Sequence, residues 1–245
     1  MLQINTHQYQ VVNDASETQG IAEKLHNVHN QLYRQLRSYG INLHPNFTQA
    51  ISFQSISDPF AQDVVALRYF RGSGEAQAVE RMMADGHEYE PTHDCHPAIE
   101  IRVTPTHFAI ELIIAPSAWW DQQNLVGKLT VERQRSDFYR LLRQMSCEVQ
   151  LGFWQGTELS DMHLSTCDIY NPRILGEWMN TFAEGQDWVR AGVWYDLNDP
   201  ALSDENLASE VFQRICELYK LYNFIVWTSD NDFRSVYRKL LARTA

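Results

Sequence analysis

The residues whose types and spacing suit chemistry lie between Asp94 and Ala115, where carboxylates, an imidazole and a guanidinium fall on strand periodicity. Ile99, Ile101 and Val103 alternate with Glu100 and Arg102. Phe108, Ile110, Leu112 and Ile114 alternate with Ala109, Glu111 and Ile113. Side chains two apart on a strand share a face, so the stretch reads as a hairpin with one apolar face. A turn centred on Pro105-Thr106 sets Val103 opposite Phe108 and Glu100 opposite Glu111. Like charges facing each other across two strands are unfavourable, so a positive partner is required, either Arg102 or a metal ion. Carried backwards, the parity of Glu100 collects Ala98, His96 and Asp94. Asp94, His96, Glu100 and Glu111 together offer three carboxylates and one imidazole, a set suited to Mg²⁺, Mn²⁺ or Zn²⁺. A metal held there would activate water for hydrolysis. The plainer expectation is an exposed strand face on which Arg102 neutralises both glutamates.

Other constellations are weaker. His87, His93, Cys95 and His96 fall within ten residues, but zinc ligands usually come in separated pairs. Strand geometry would also point the adjacent Cys95 and His96 apart, so they read as polar loop residues. The spacing Asp94…Glu100-x-Arg102 resembles the Asp…Glu-x-Lys core of restriction-type nucleases over nine residues, with Arg where that family carries Lys. That stretch is too short to place the chain in the family. Gly72-Ser-Gly74 falls far short of a Walker or Rossmann loop, and no Gly-x-Ser-x-Gly nucleophile motif occurs. The pair Trp119-Trp120 differs: neighbouring helical residues point about 100° apart, so one packs inward while the other lines a groove or partner surface.

The charge balance narrows the partners. The net charge is −11, which opposes general binding to nucleic acid or anionic membrane. Residues 128–143 and 234–243 hold nine of the twenty bases and two of the thirty-one acids, leaving −18 on the rest of the chain. Sixteen bases are Arg, which favours bidentate carboxylate or phosphate partners. Arg102, Arg133, Arg135 and Arg140, with Trp119 and Trp120, are thus the candidate ligand- or anion-binding residues. These arginine-rich stretches otherwise read as solvated helix faces, and nucleic acid is expected only through such a local Arg-rich patch. No run of about 18 apolar residues occurs, so no membrane partner is expected. Cys95, Cys147, Cys167 and Cys216 form no Cys-x-x-Cys pair, which suits free thiols in the cytoplasm.

The elements that must position these residues follow from periodicity. Ile21, Leu25, Val28, Leu32 and Leu36 mark a long helix closed by Gly40. Residues 50–54, 63–71, 147–154 and 187–195 read as strands. Helices are expected over 75–85, around Trp119, over 130–145 with Thr130 as cap, over 171–183, over 204–222 and over 230–243. Strands come in neighbouring runs rather than strict alternation with helices. The class is therefore α+β, a mainly antiparallel sheet with helices packed on it. Residues 15–245 read as one domain, and 1–14 as a poorly ordered segment or edge strand. The functional expectation is a binding or adaptor-type protein with a protein or small-molecule partner. The alternative is a metal-dependent hydrolase, acting on a phosphoester, that uses the hairpin carboxylates; only that reading calls for a divalent cofactor.

Overall fold

A computed structural model of the chain describes residues 15–45, 50–57, 63–83, 95–155, 158–159 and 164–234. Strands β1 (His44–Pro45), β2 (Ile51–Ser52) and β3 (Val65–Phe70) precede the hairpin of β4 (Ala98–Val103) and β5 (Phe108–Ile114). Strands β6 (Gln150–Gln155), β7 (Glu158–Leu159), β8 (Leu164–Ser165) and β9 (Trp188–Tyr195) follow it. All join one antiparallel sheet in the order β1-β3-β4-β5-β9-β6-β7, with β2 also on β3 and β8 also on β6. The hairpin is thus central, and β9 arrives from far along the chain to pair with β5.

Six α-helices accompany the sheet among the described residues: α1 (Ala15–Ser38), α2 (Ser73–Met83), α3 (Trp119–Thr130), α4 (Glu132–Leu142), α5 (Arg173–Met179) and α6 (Leu207–Ile225). The fold is α+β. Leu25, Leu32 and Leu36 of α1 and Val211, Ile215 and Leu218 of α6 share one core with Leu67, Ile99, Ile101, Ile110 and Leu112 of the sheet. The apolar parity of the hairpin is therefore its helix-covered face. Gly40 ends α1 with a φ of 74°, a left-handed conformation that glycine adopts without a Cβ penalty. The expected Thr130 cap is corrected. Val131 occupies that position with no side-chain bond, and Thr130 Oγ1 donates back to the Gly127 carbonyl at 2.7 Å.

The expectation of four thiols is also corrected. Cys147 and Cys167, both exposed, form a disulfide with Cα atoms 4.9 Å apart. The pairing of β8 with β6 causes the approach. Thr166 N donates to Val149 O at 3.0 Å and Ser165 Oγ to Cys147 O at 3.1 Å. The thiol argument for a reducing compartment does not hold for this pair. Closing a loop with a sequence separation of 20 contributes about 3 kcal/mol in the chain-entropy model. Reductant should therefore lower the denaturant midpoint of the wild type and leave a Cys147→Ala/Cys167→Ala variant unmoved. An unmoved wild type would refute this.

Among the described residues no helix is long and apolar enough to cross a membrane. Residues 1–14, Asp94, His87, His93 and most of the expected 230–243 helix lie outside the described residues. Of that last segment, Phe233 is described: its ring covers Gly127 so closely that a Cβ there would collide with it, and its N–H donates to Asn124 Oδ1 at 2.8 Å.

Candidate functional site

The hairpin register sets Glu100 opposite Glu111 and Val103 opposite Phe108. Extending that register across neighbouring strands brings two further arginines to the same face. Arg68 of β3 pairs with Glu100, and Arg190 of β9 pairs with Ile113, two residues from Glu111. The result is a seam of two carboxylates and three guanidiniums across four strands.

Every carboxylate oxygen in the seam is engaged. Glu100 Oε2 accepts from Arg68 Nε at 2.8 Å and from the Ile56 N–H at 2.9 Å. Its Oε1 accepts from Ser55 Oγ at 2.6 Å, with Arg102 Nη1 at 3.6 Å. Glu111 Oε1 accepts from Arg190 Nε at 2.8 Å and Nη2 at 2.6 Å. Its Oε2 meets Arg102 Nη1 as an ion pair without hydrogen-bond alignment. Arg102 Nη1 also donates to Ser57 Oγ at 2.9 Å. Both glutamates are 0% exposed and Arg102 is 5% exposed, so the expected exposed ion-pair face is corrected to a buried one. Residues 55–57 cover it, and their backbone and hydroxyl donors are drawn in by the Glu100 carboxylate.

Burial pushes the Glu111 carboxyl up, but Arg102 and then Arg190 outweigh it and hold it below the ordinary carboxylate value. His107 stands beside the seam, with Nε2 at 3.4 Å from Arg102 Nη2. Burial first, then the Arg102 charge, lowers its pKa, so the ring is neutral at pH 7. Gly192 of β9 lies directly opposite Glu111. A Cβ there would collide with the Ile110 carbonyl and the Glu111 side chain. Glycine is what lets Glu111 lie flat across β9 towards Arg190.

From Arg190 the seam continues into an aromatic wall. The guanidinium lies 4.6 Å from the Trp154 ring centroid and 5.8 Å from that of Trp194, within cation–π range. The two indoles are stacked, with centroids 6.1 Å apart. They wall a groove of about 550 Å³ at the end of β6 and β9, completed by Glu148, Gln150, Val193, Tyr195 and Asp199. Among the described residues that line it, Glu148 and Asp199 carry the formal charges. Glu148 is ion-paired to Arg214, which also binds Tyr195 Oη at 2.9 Å. The groove is aromatic, acid-rimmed and stiffened from beneath by Arg190.

The sequence-derived candidates divide among four places. Glu100, Glu111 and Arg102 meet in the seam, but His96 does not join them. Its Nε2 instead lies 3.2 Å from Glu80 Oε1 of α2. The metal-ligand set of Asp94, His96, Glu100 and Glu111 is therefore corrected for its described members: the arginines occupy the glutamate oxygens that an ion would need. Arg133, Arg135 and Arg140 belong to α4, which packs on α3 and α6, so they do not converge with Arg102. Arg140 pairs with Asp137 and Arg135 Nη1 donates to Leu129 O at 3.2 Å. Trp119 is 42% exposed, while Trp120 is half-buried and leans on Trp227, with centroids 5.7 Å apart. Arg68, Arg190, Ser55, Ser57, Trp154 and Trp194 were missed. The two arginines stand at alternating positions of segments that read as strands, but only the strand order shows whose charge they face.

Fold and site together define an α+β protein with a buried charged seam beneath an aromatic, acid-rimmed groove. No protein-family model matches the chain, and no curated protein is similar to it in sequence.

Proposed function

We propose that this chain is a non-catalytic binding protein whose groove at the end of β6 and β9 takes a partner with a cationic group on an apolar body. The observation that carries this reading is the pairing of stacked Trp154 and Trp194 with the carboxylates of Glu148 and Asp199 around one groove of about 550 Å³. That volume lies in the range of small-ligand sites. Indole faces and carboxylates both attract cations, and the net charge of −11 draws such a partner in. A small-molecule amine and a basic protein side chain share this chemistry.

Supporting the binding reading over the hydrolytic one, the hairpin carboxylates already have arginine partners, so nothing in the seam calls for a metal. Titration calorimetry with arginine amide tests the proposal. Saturable binding is expected, weakened at least about tenfold, or about 1.4 kcal/mol, by Trp194→Ala and also reduced by Asp199→Asn. Equal affinity for N-acetylglutamate, or binding indifferent to Trp194→Ala, would overturn it.

A further inference from the structure

A separate cluster lies where the chain enters β4. Cys95 and His96 precede the strand, in a 3-10 turn and a bend, so strand alternation does not drive their side chains apart as the sequence alone suggests. Glu80 reaches them from α2, fifteen residues upstream. One ligand atom from each of Glu80, Cys95 and His96 lies within 4.8 Å of the others. Ligands on a tetrahedral zinc ion, at bond lengths of about 2.0–2.3 Å, stand roughly 3.5 Å apart. Glu80 Oε1 and His96 Nε2 already stand 3.2 Å apart.

The second observation is the imidazole itself. His96 is 7% exposed, and its Nδ1 is buried with no hydrogen-bond partner among the described residues. Buried polar atoms are normally paired, and the other ring nitrogen, Nε2, is the one that faces Glu80. Arg71, whose charge acts on His96, is committed to Asp121 at 2.5 Å.

We propose that Glu80, Cys95 and His96 supply three ligands of a Zn²⁺ site. One thiolate and one carboxylate balance the charge of the ion, and the thiolate selects zinc over Mg²⁺ or Mn²⁺. Among the described residues three ligands converge, the number of protein ligands that catalytic zinc sites use. The site is independent of the groove and of the seam, so its test bears on neither.

The experiment uses the full chain, with Cys216→Ser as background to remove the other thiol. After equilibration with ZnCl₂ and dialysis, metal analysis should find one zinc per chain. Co²⁺ substitution should give a thiolate-to-metal charge-transfer band. Cys95→Ala should abolish that band, and Glu80→Gln should weaken zinc binding at least tenfold. Glu80 is half-exposed, so its variant keeps the fold, checked by an unchanged far-ultraviolet spectrum. Absence of retained zinc, a cobalt complex without the thiolate band, or equal zinc affinity in Glu80→Gln would overturn the proposal.

Discussion

Replacing Glu111 with Gln should lower the free energy of unfolding by about 3–5 kcal/mol at neutral pH, the usual cost of removing one partner from a buried ion network. Gln keeps the shape, removes the charge and turns one acceptor oxygen into an N–H donor facing a guanidinium. Three guanidiniums would then share Glu100 alone, inside a seam where Glu111 is 0% exposed and Arg102 only 5%. The loss is a large fraction of the 5–15 kcal/mol typical of a domain. Its pH dependence has a definite sign. Arg102 and Arg190 overcome burial and hold the Glu111 carboxyl below its ordinary value of 4.5. A depressed folded pKa contributes stability that is complete above the unfolded value and lost as pH falls through the folded value. The gap between wild type and Glu111→Gln should therefore be widest at neutral pH and close progressively below about 4.5. Added salt should change it little, because buried pairs are poorly screened. Urea unfolding of both proteins from neutral to acid pH measures all of this. A gap that is absent at pH 7, or constant with pH, would show that the seam does not stabilise the fold. The same variant releases Arg190 from its two bonds to Glu111, so arginine amide should bind the groove more weakly.

The next residue gives the opposite signature. Leu112→Ala should cost about 2–5 kcal/mol through lost burial and the cavity left behind. Leu112 is 1% exposed, in the helix-covered core, and it pairs with Ile99 on one side and Ala191 on the other. No titrating group is involved, so the loss should be the same at neutral and acid pH, with an unchanged denaturant slope. A cost below about 1 kcal/mol would place Leu112 at a surface able to collapse or admit water. Adjacent residues of one strand would thus report the two faces of the sheet separately: a pH-dependent deficit on the seam side and a pH-independent one on the core side.

What the amino-acid sequence by itself determined is local. The period of two over residues 99–103 and 108–114, with a short turn between, specifies one hairpin register, because a one-residue slip would turn every apolar side chain to the wrong face. Glu100 therefore had to face Glu111, and a positive partner had to be supplied. The long stripes of α1 and α6 were equally legible, since a helix face of period 3.6 is written in consecutive residues. The α+β class follows from the order of such segments.

The identity and number of the positive partners were decided only by tertiary structure. Arg68 and Arg190 reach the glutamates because β3 and β9 flank the hairpin in the order β3-β4-β5-β9, and backbone pairing between distant strands leaves no trace in local periodicity. Burial of the seam is likewise non-local: Ser55 and Ser57 lie 45 residues before Glu100 and Arg102, respectively, and fold over them. That cover turned an expected exposed face into an interior one. The Cys147–Cys167 bridge, the removal of His96 from the carboxylate pair to Glu80, and the Trp154–Trp194 wall each join residues from separate elements. A sequence states which side chains share a face of one element; which faces meet depends on the free energy of the whole packed chain.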